Sequence, residues 1–241
     1  YPLRRQRQMC IRDRGTRALI NNLYGGTFTD AAHTMYTADS EENIKAIQAL
    51  VDSDAITFDA SIAGGDEIRL FRQGVLNVAF CWNIAQQLNA DNNTAGLTND
   101  GDEILFMAFP SENGTDTKLC GGIWGFGIFD NGDANKIAAS KLFIKYMADS
   151  AEGTKDAVLS STYFPVRDTV EGVDLTGIYS DVQAMSDYGT LMQYLGDYYQ
   201  VTPGWAEART AWWNMLQQVG SGVDVETAVN EFVTTSNAAA K

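Results

Sequence analysis

The chain has 241 residues, 45% of them hydrophobic, with four prolines, enough to bury a sizeable core as one large domain or two small ones and too apolar for a disordered protein. Its 17 basic groups stand against 31 acidic ones, a net charge of −14, which repels the phosphates of nucleic acid and anionic headgroups and excludes both as partners. No run of about 18 apolar residues is present to span a bilayer.

The charge is unevenly placed. Residues 1–17 hold six arginines and a single acid, which leaves 11 basic against 30 acidic groups in residues 18–241. This leader has no apolar period of 3.6 or 2 and no hydrophobic h-region. Its run RRQRQMCIRDR resembles translated sequencing-adapter sequence, so residues 1–17 are read as foreign to the body.

Residues 39–52 predict a helix, with Asp39 or Ser40 as cap, Glu41 and Glu42 at the positive end of the dipole, and Ile44, Ile47, Leu50 and Val51 on one face. Residues 67–72 make a short amphipathic piece that Gly74 ends, and Val75–Trp82 reads as a buried strand. Residues 91–102 are rich in Asn, Asp and Gly and predict a surface loop. It echoes a calcium loop at its first, third and sixth positions but carries Ala95 at the fifth and Asp102 at the twelfth. Ile104–Phe109 reads as a strand ending at Pro110, and Gly121–Phe129 as another, whose glycines suggest close backbone approach.

Ala134–Asp149 predicts a strong helix that is apolar on most sides, residues 151–160 a second, and Tyr163 to Arg167 a break. Helical segments follow near 178–195. The turn Thr202-Pro203-Gly204 introduces a helix with Trp205, Trp212, Leu216 and Val219 at helical spacing, ended by Gly220 and Gly222, and Asp224 caps a last helix carrying Val225, Ala228 and Phe232. Helices mixed with strands indicate an α/β architecture.

Catalytic chemistry finds little purchase. The single histidine, His33, has no nucleophile motif around it, and G-x-S-x-G, the phosphate-cradling G-x-x-x-x-G-K-[ST] and H-E-x-x-H are all missing. A glycosidase would need a defined carboxylate pair, and no spacing nominates two of the acids. Cys81 and Cys120 are too few for a structural zinc site and are either one disulfide or two buried thiols. No cofactor motif emerges.

The five tryptophans remain. Trp82 closes an apolar run, Trp124 follows Gly121-Gly122, and Trp205 opens a helix with Arg209 one turn later. A flat indole suits the C–H face of a sugar, and a nearby guanidinium can donate to its hydroxyls. Trp212 and Trp213 read as core.

Several segments carry a resemblance in order from about residue 18 onward. Phe71-Arg72-Gln73-Gly74-Val75-Leu76-Asn77-Val78-Ala79-Phe80 with Trp82 after it, Phe109-Pro110 followed by Gly121-Gly122-Ile123-Trp124-Gly125-Phe126-Gly127-Ile128, Ala138 to Thr154 with Pro165-Val166-Arg167, Pro203-Gly204-Trp205 with Arg209, and Gly222 to Ala228 are similar to the extracellular solute-binding proteins of ABC importers, the maltose-binding type. Phe80 stands where that family has Met.

The resemblance implies a periplasmic-binding-protein-like fold of type II, with two α/β lobes closing on ligand by a hinge. Residues 18–119 and 166–241 would then form the second lobe, and 120–165 would be the crossing strand and helices of a first lobe of which the chain holds only that part. It implies a non-enzyme that captures a mono- or oligosaccharide through Trp82, Asn83, Gly121, Gly122, Trp124, Trp205 and Arg209 and delivers it, as a monomer, to ABC permease subunits. An extracellular, cell-surface lipoprotein or periplasmic location with a lipid anchor is implied too. A carbohydrate-active enzyme and a surface carbohydrate-binding protein are the alternatives. With half the cleft outside it, this chain is expected to bind ligand weakly or not at all.

Overall fold

The computed structural model describes residues 9–10, 14–53, 56–57, 66–80, 98–114, 117–122, 125–180 and 183–241. At coarse level it is mixed α/β: eight α-helices dominate the described residues, with short strands between them.

The main core packs four helices drawn from the two ends of the chain. The first, α1 (Arg14–Tyr24), is buried nearly all round, with Ala18, Leu19 and Ile20 inside together with Thr16, Arg17, Asn21 and Asn22. It runs through residue 17 without a break. Thr16 and Arg17, at the end of the leader, belong to the packed interior.

The predicted helix at 39–52 is α2 (Glu41–Val51), with the Ser40 side chain accepting from Asn43 N and Ala46, Ile47 and Leu50 buried. The two C-terminal helices are α7 (Trp205–Gly220) and α8 (Val225–Ala239). Asp224 caps α8 by accepting from Thr227 N at 2.9 Å. Trp212, Met215, Leu216 and Val219 of α7 meet Ala228, Val229 and Phe232 of α8 in the interior, and Trp212 is core as its spacing predicted.

Between these ends lie α3 (Asp66–Arg72), ended by Gly74 at φ +70° as expected, then α4 (Ala134–Asp149), α5 (Ala151–Ser161) and α6 (Gln183–Gly189). Ser150 joins α4 to α5, receiving a hydrogen bond from Gly153 N on its side chain. A second, smaller core sets Val158 of α5 against Tyr179 and Met185, with Phe106 and Phe164 beside them.

The strands are minimal. Met9–Cys10 (β1) pairs in parallel with Ile56–Thr57 (β2), and Leu119–Cys120 (β3) in parallel with Leu195–Asp197 (β6). Thr169–Val170 (β4) and Val173–Asp174 (β5) form an antiparallel hairpin.

Three predicted strands are thereby corrected. Residues 75–80 form no ladder: Leu76 and Phe80, four apart, are buried while Val75 and Val78 are exposed. Residues 104–109 keep a period of 2, with Ile104 buried and Leu105 and Met107 exposed, yet no neighbour completes a ladder among the described residues. Among the described residues of 121–129 none is paired; the pairing lies just ahead at Leu119–Cys120, and Phe126 and Phe129 are 54% and 90% exposed. Apolar runs mark strand-like segments, but a ladder needs a partner at the right distance.

Candidate functional site

The start of α7 is held from two sides. Gly204 takes φ +70°, and a Cβ there would lie 2.8 Å from the Ala239 carbonyl at the end of α8, so only glycine lets the turn sit that close. The Tyr36 hydroxyl donates to the Pro203 carbonyl at 2.9 Å. Tyr36 is itself clamped by Asn237, which accepts from Tyr36 N at 2.8 Å and donates to Tyr36 O at 3.0 Å.

Trp205, the first residue of α7, is half-buried on this turn. Its ring lies 5.3 Å from that of Tyr199 and 6.2 Å from that of Phe28, centroid to centroid. The guanidinium of Arg17 is 4.9 Å from the indole centroid, 5.6 Å from the Tyr199 ring and 5.8 Å from Phe28, a geometry in which ring quadrupoles attract the cation. Arg17 Nε also donates to the Tyr199 hydroxyl at 3.4 Å. Arg209, one turn beyond Trp205, is exposed.

A second strand of the site arrives from the middle of the chain. Asn22 on α1 accepts from Lys118 N at 2.6 Å and donates to Lys118 O at 2.7 Å, mimicking one rung of a sheet and holding β3 against the helix. Gln200 Nε2 then donates to Cys120 Sγ at 2.7 Å. The close approach expected of the glycines is real at one of them: a Cβ on the buried Gly121 would come 2.5 Å from Tyr198 Cε1, whereas Gly122, Gly125 and Gly127 have open space. Gly121 thus lies against Tyr198, whose chain neighbour Tyr199 packs on Trp205.

Burial raises the Tyr199 hydroxyl pKa well above its ordinary value, with the Arg17 guanidinium pulling the other way, and pushes that of Tyr36 up to about 12, Glu207 adding a smaller repulsion. Both stay protonated donors at neutral pH. Among the described residues no group of His, Cys, Asp and Glu could hold a metal ion, and no helix is long and apolar enough to cross a membrane. His33 is a loop residue at φ 54°, its Nδ1 3.1 Å from Thr29 Oγ1. Residues 98–102 close a turn, Thr98 N donating to Asp102 O at 2.8 Å, while 91–97 lie outside the described residues.

Of the sequence-predicted site residues, Trp205 and Arg209 stand one turn apart on α7, and Gly121, with Gly122 after it, lies against Tyr198. Trp82, Asn83 and Trp124 lie outside the described residues, as does Cys81, the proposed partner of Cys120. Sequence reasoning missed Arg17, Phe28, Tyr198 and Tyr199. Phe28 and the two tyrosines stand outside any apolar period, and Arg17 was assigned to the basic leader; the aromatic pair Tyr198-Tyr199 a few residues ahead of Trp205 was the available signal. Compared with known proteins, the chain matches no family profile, no curated protein and no solved structure.

Proposed function

We propose that this chain is part of the sugar-binding component of an ABC importer, of the periplasmic-binding-protein-like type, in which Trp205 is a stacking platform and Arg209 a hydrogen-bond donor to ligand hydroxyls. The observation that carries the reading is Trp205 itself: a half-buried indole at a helix start, backed by Arg17, Tyr199 and Phe28, with the exposed Arg209 one turn on. Trp212, on the same helix, is covered at 2% exposure.

Support also comes from an uncovered apolar face. Helix α4 has no buried residue, Leu142, Phe143 and Tyr146 are exposed, and the exposed Phe126 ring packs on Phe143 at 5.9 Å. Apolar surface of this extent marks a contact to another body. In the proposed arrangement a further α/β lobe of the same protein covers it and supplies the facing wall of the cleft, with Trp82, Asn83, Gly121, Gly122 and Trp124 completing the ligand contacts. Delivery to permease subunits from outside the cytoplasm, with a lipid anchor, belongs to the same proposal.

The test is a tryptophan-fluorescence titration of the protein, extended by its upstream coding sequence, against a panel of mono- and oligosaccharides. One panel member should bind and be recovered chemically unchanged, and Trp205→Ala should weaken it at least about tenfold. The reading fails if the bound sugar is hydrolysed or if the upstream sequence encodes neither a signal peptide nor an α/β lobe, and sub-micromolar binding by the 241-residue chain alone would refute the half-cleft expectation.

A further inference from the structure

We infer that Arg17 is a positioning residue for Trp205: its buried guanidinium occupies the inner side of the indole and sets the tilt at which the open side meets ligand. The inference rests on the proposed role of Trp205 as a platform. Arg17 is 1% exposed, whereas Trp205 is only half-buried, so the open surface of the indole is the part turned away from the guanidinium.

The contact joins distant parts of the chain. Arg17 lies in the first turn of α1, and Tyr199 and Trp205 flank the turn before α7, so one cation over three rings ties the first helix to the start of the seventh. Purely apolar packing would leave the indole free to tilt, since dispersion has little directional preference. A planar guanidinium stacks flat and keeps its charge when buried, which a compact ammonium does not do as readily. The exposed pair of Lys45 over Tyr24 joins neighbouring helices at the surface and orients no such platform.

The experiment uses the 241-residue chain. Acrylamide quenching is measured for the parent and for Trp205→Phe, and the difference isolates Trp205. Arg17→Met should raise the quenching constant of Trp205 about twofold through loss of the cation–ring contact and shift its emission. In the Trp205→Phe background the same substitution should leave the other four tryptophans unchanged, which a general loosening of the core would not. Arg17→Lys, which keeps a cation but not the flat stack, should recover only part of the parent constant. If Arg17→Met does not fold, Arg17→Gln, planar and neutral, takes its place.

Equal changes in both backgrounds, no change in either, or a lysine variant indistinguishable from methionine would each overturn the inference. Its failure is separable from that of the proposed function: a Trp205 that is no ligand platform leaves sugar affinity untouched by Trp205→Ala while the quenching differences persist.

Discussion

Phe28 is the ring on which the helical core and the candidate site converge. It is 2% exposed, with centroids of Tyr199, Trp212, Phe232, Tyr36 and Trp205 at 5.0, 5.1, 5.6, 5.8 and 6.2 Å. Truncation to alanine removes a buried phenyl, a change that costs about 3–5 kcal/mol including the cavity. The upper part of that range applies, because the five neighbours come from α7, α8 and two loops held by separate hydrogen bonds and cannot close on the void together. Phe28→Leu keeps most of the volume and loses mainly the edge-to-face terms, each about 0.5–1.5 kcal/mol and not additive, so about 1–2 kcal/mol is expected. Urea unfolding followed by circular dichroism reads both: with a slope of about 3 kcal/mol/M, alanine moves the midpoint down by roughly 1.5 M and leucine by roughly 0.5 M. A loss under about 1.5 kcal/mol for alanine, or equal losses for the two variants, would refute the account of Phe28 as a shared ring.

Gly204→Ala should destabilise by about 2–3 kcal/mol, since φ +70° penalises a side chain and the Cβ meets the Ala239 backbone carbonyl at 2.8 Å. Gly121→Ala should cost less than about 1 kcal/mol although its Cβ would come 2.5 Å from Tyr198, because that ring is 42% exposed and can swing away; the reverse order in a denaturant comparison would contradict both placements. Burial pushes the hydroxyls of Tyr36 and Tyr179 up to about 12. Below pH 10 native and unfolded chains hold these protons equally; above it the unfolded chain loses them first, so their contribution to stability is lost between pH 10 and 12. Urea midpoints measured from pH 8 to 12 should fall in that window and fall less in Tyr36→Phe, and midpoints that stay level to pH 12 would show these tyrosines to be solvated.

The helices were legible because their signals are local. Ser40 before Glu41 and Glu42, Asp224 before Val225, and the apolar period through Trp212, Leu216 and Val219 all act within a few residues, and α2, α4, α5, α7 and α8 match them. Strands were not legible in the same way. Residues 75–80 and 104–109 have strand-like composition, but a ladder is a property of two segments, and these find no partner among the described residues.

Of the candidate site, the sequence by itself determined the Pro-Gly turn, the indole that follows it and the arginine one turn later, since a positive-φ glycine and helical spacing are written locally. Tertiary structure alone decided what stands behind that indole. Arg17, Phe28 and Tyr199 are far apart in the chain and share no period, and Arg17 looked like the last charge of a foreign leader. Packing of α1 against the turn before α7 put its guanidinium over Trp205 at 4.9 Å. The ring cluster offsets part of the desolvation cost of burying that cation.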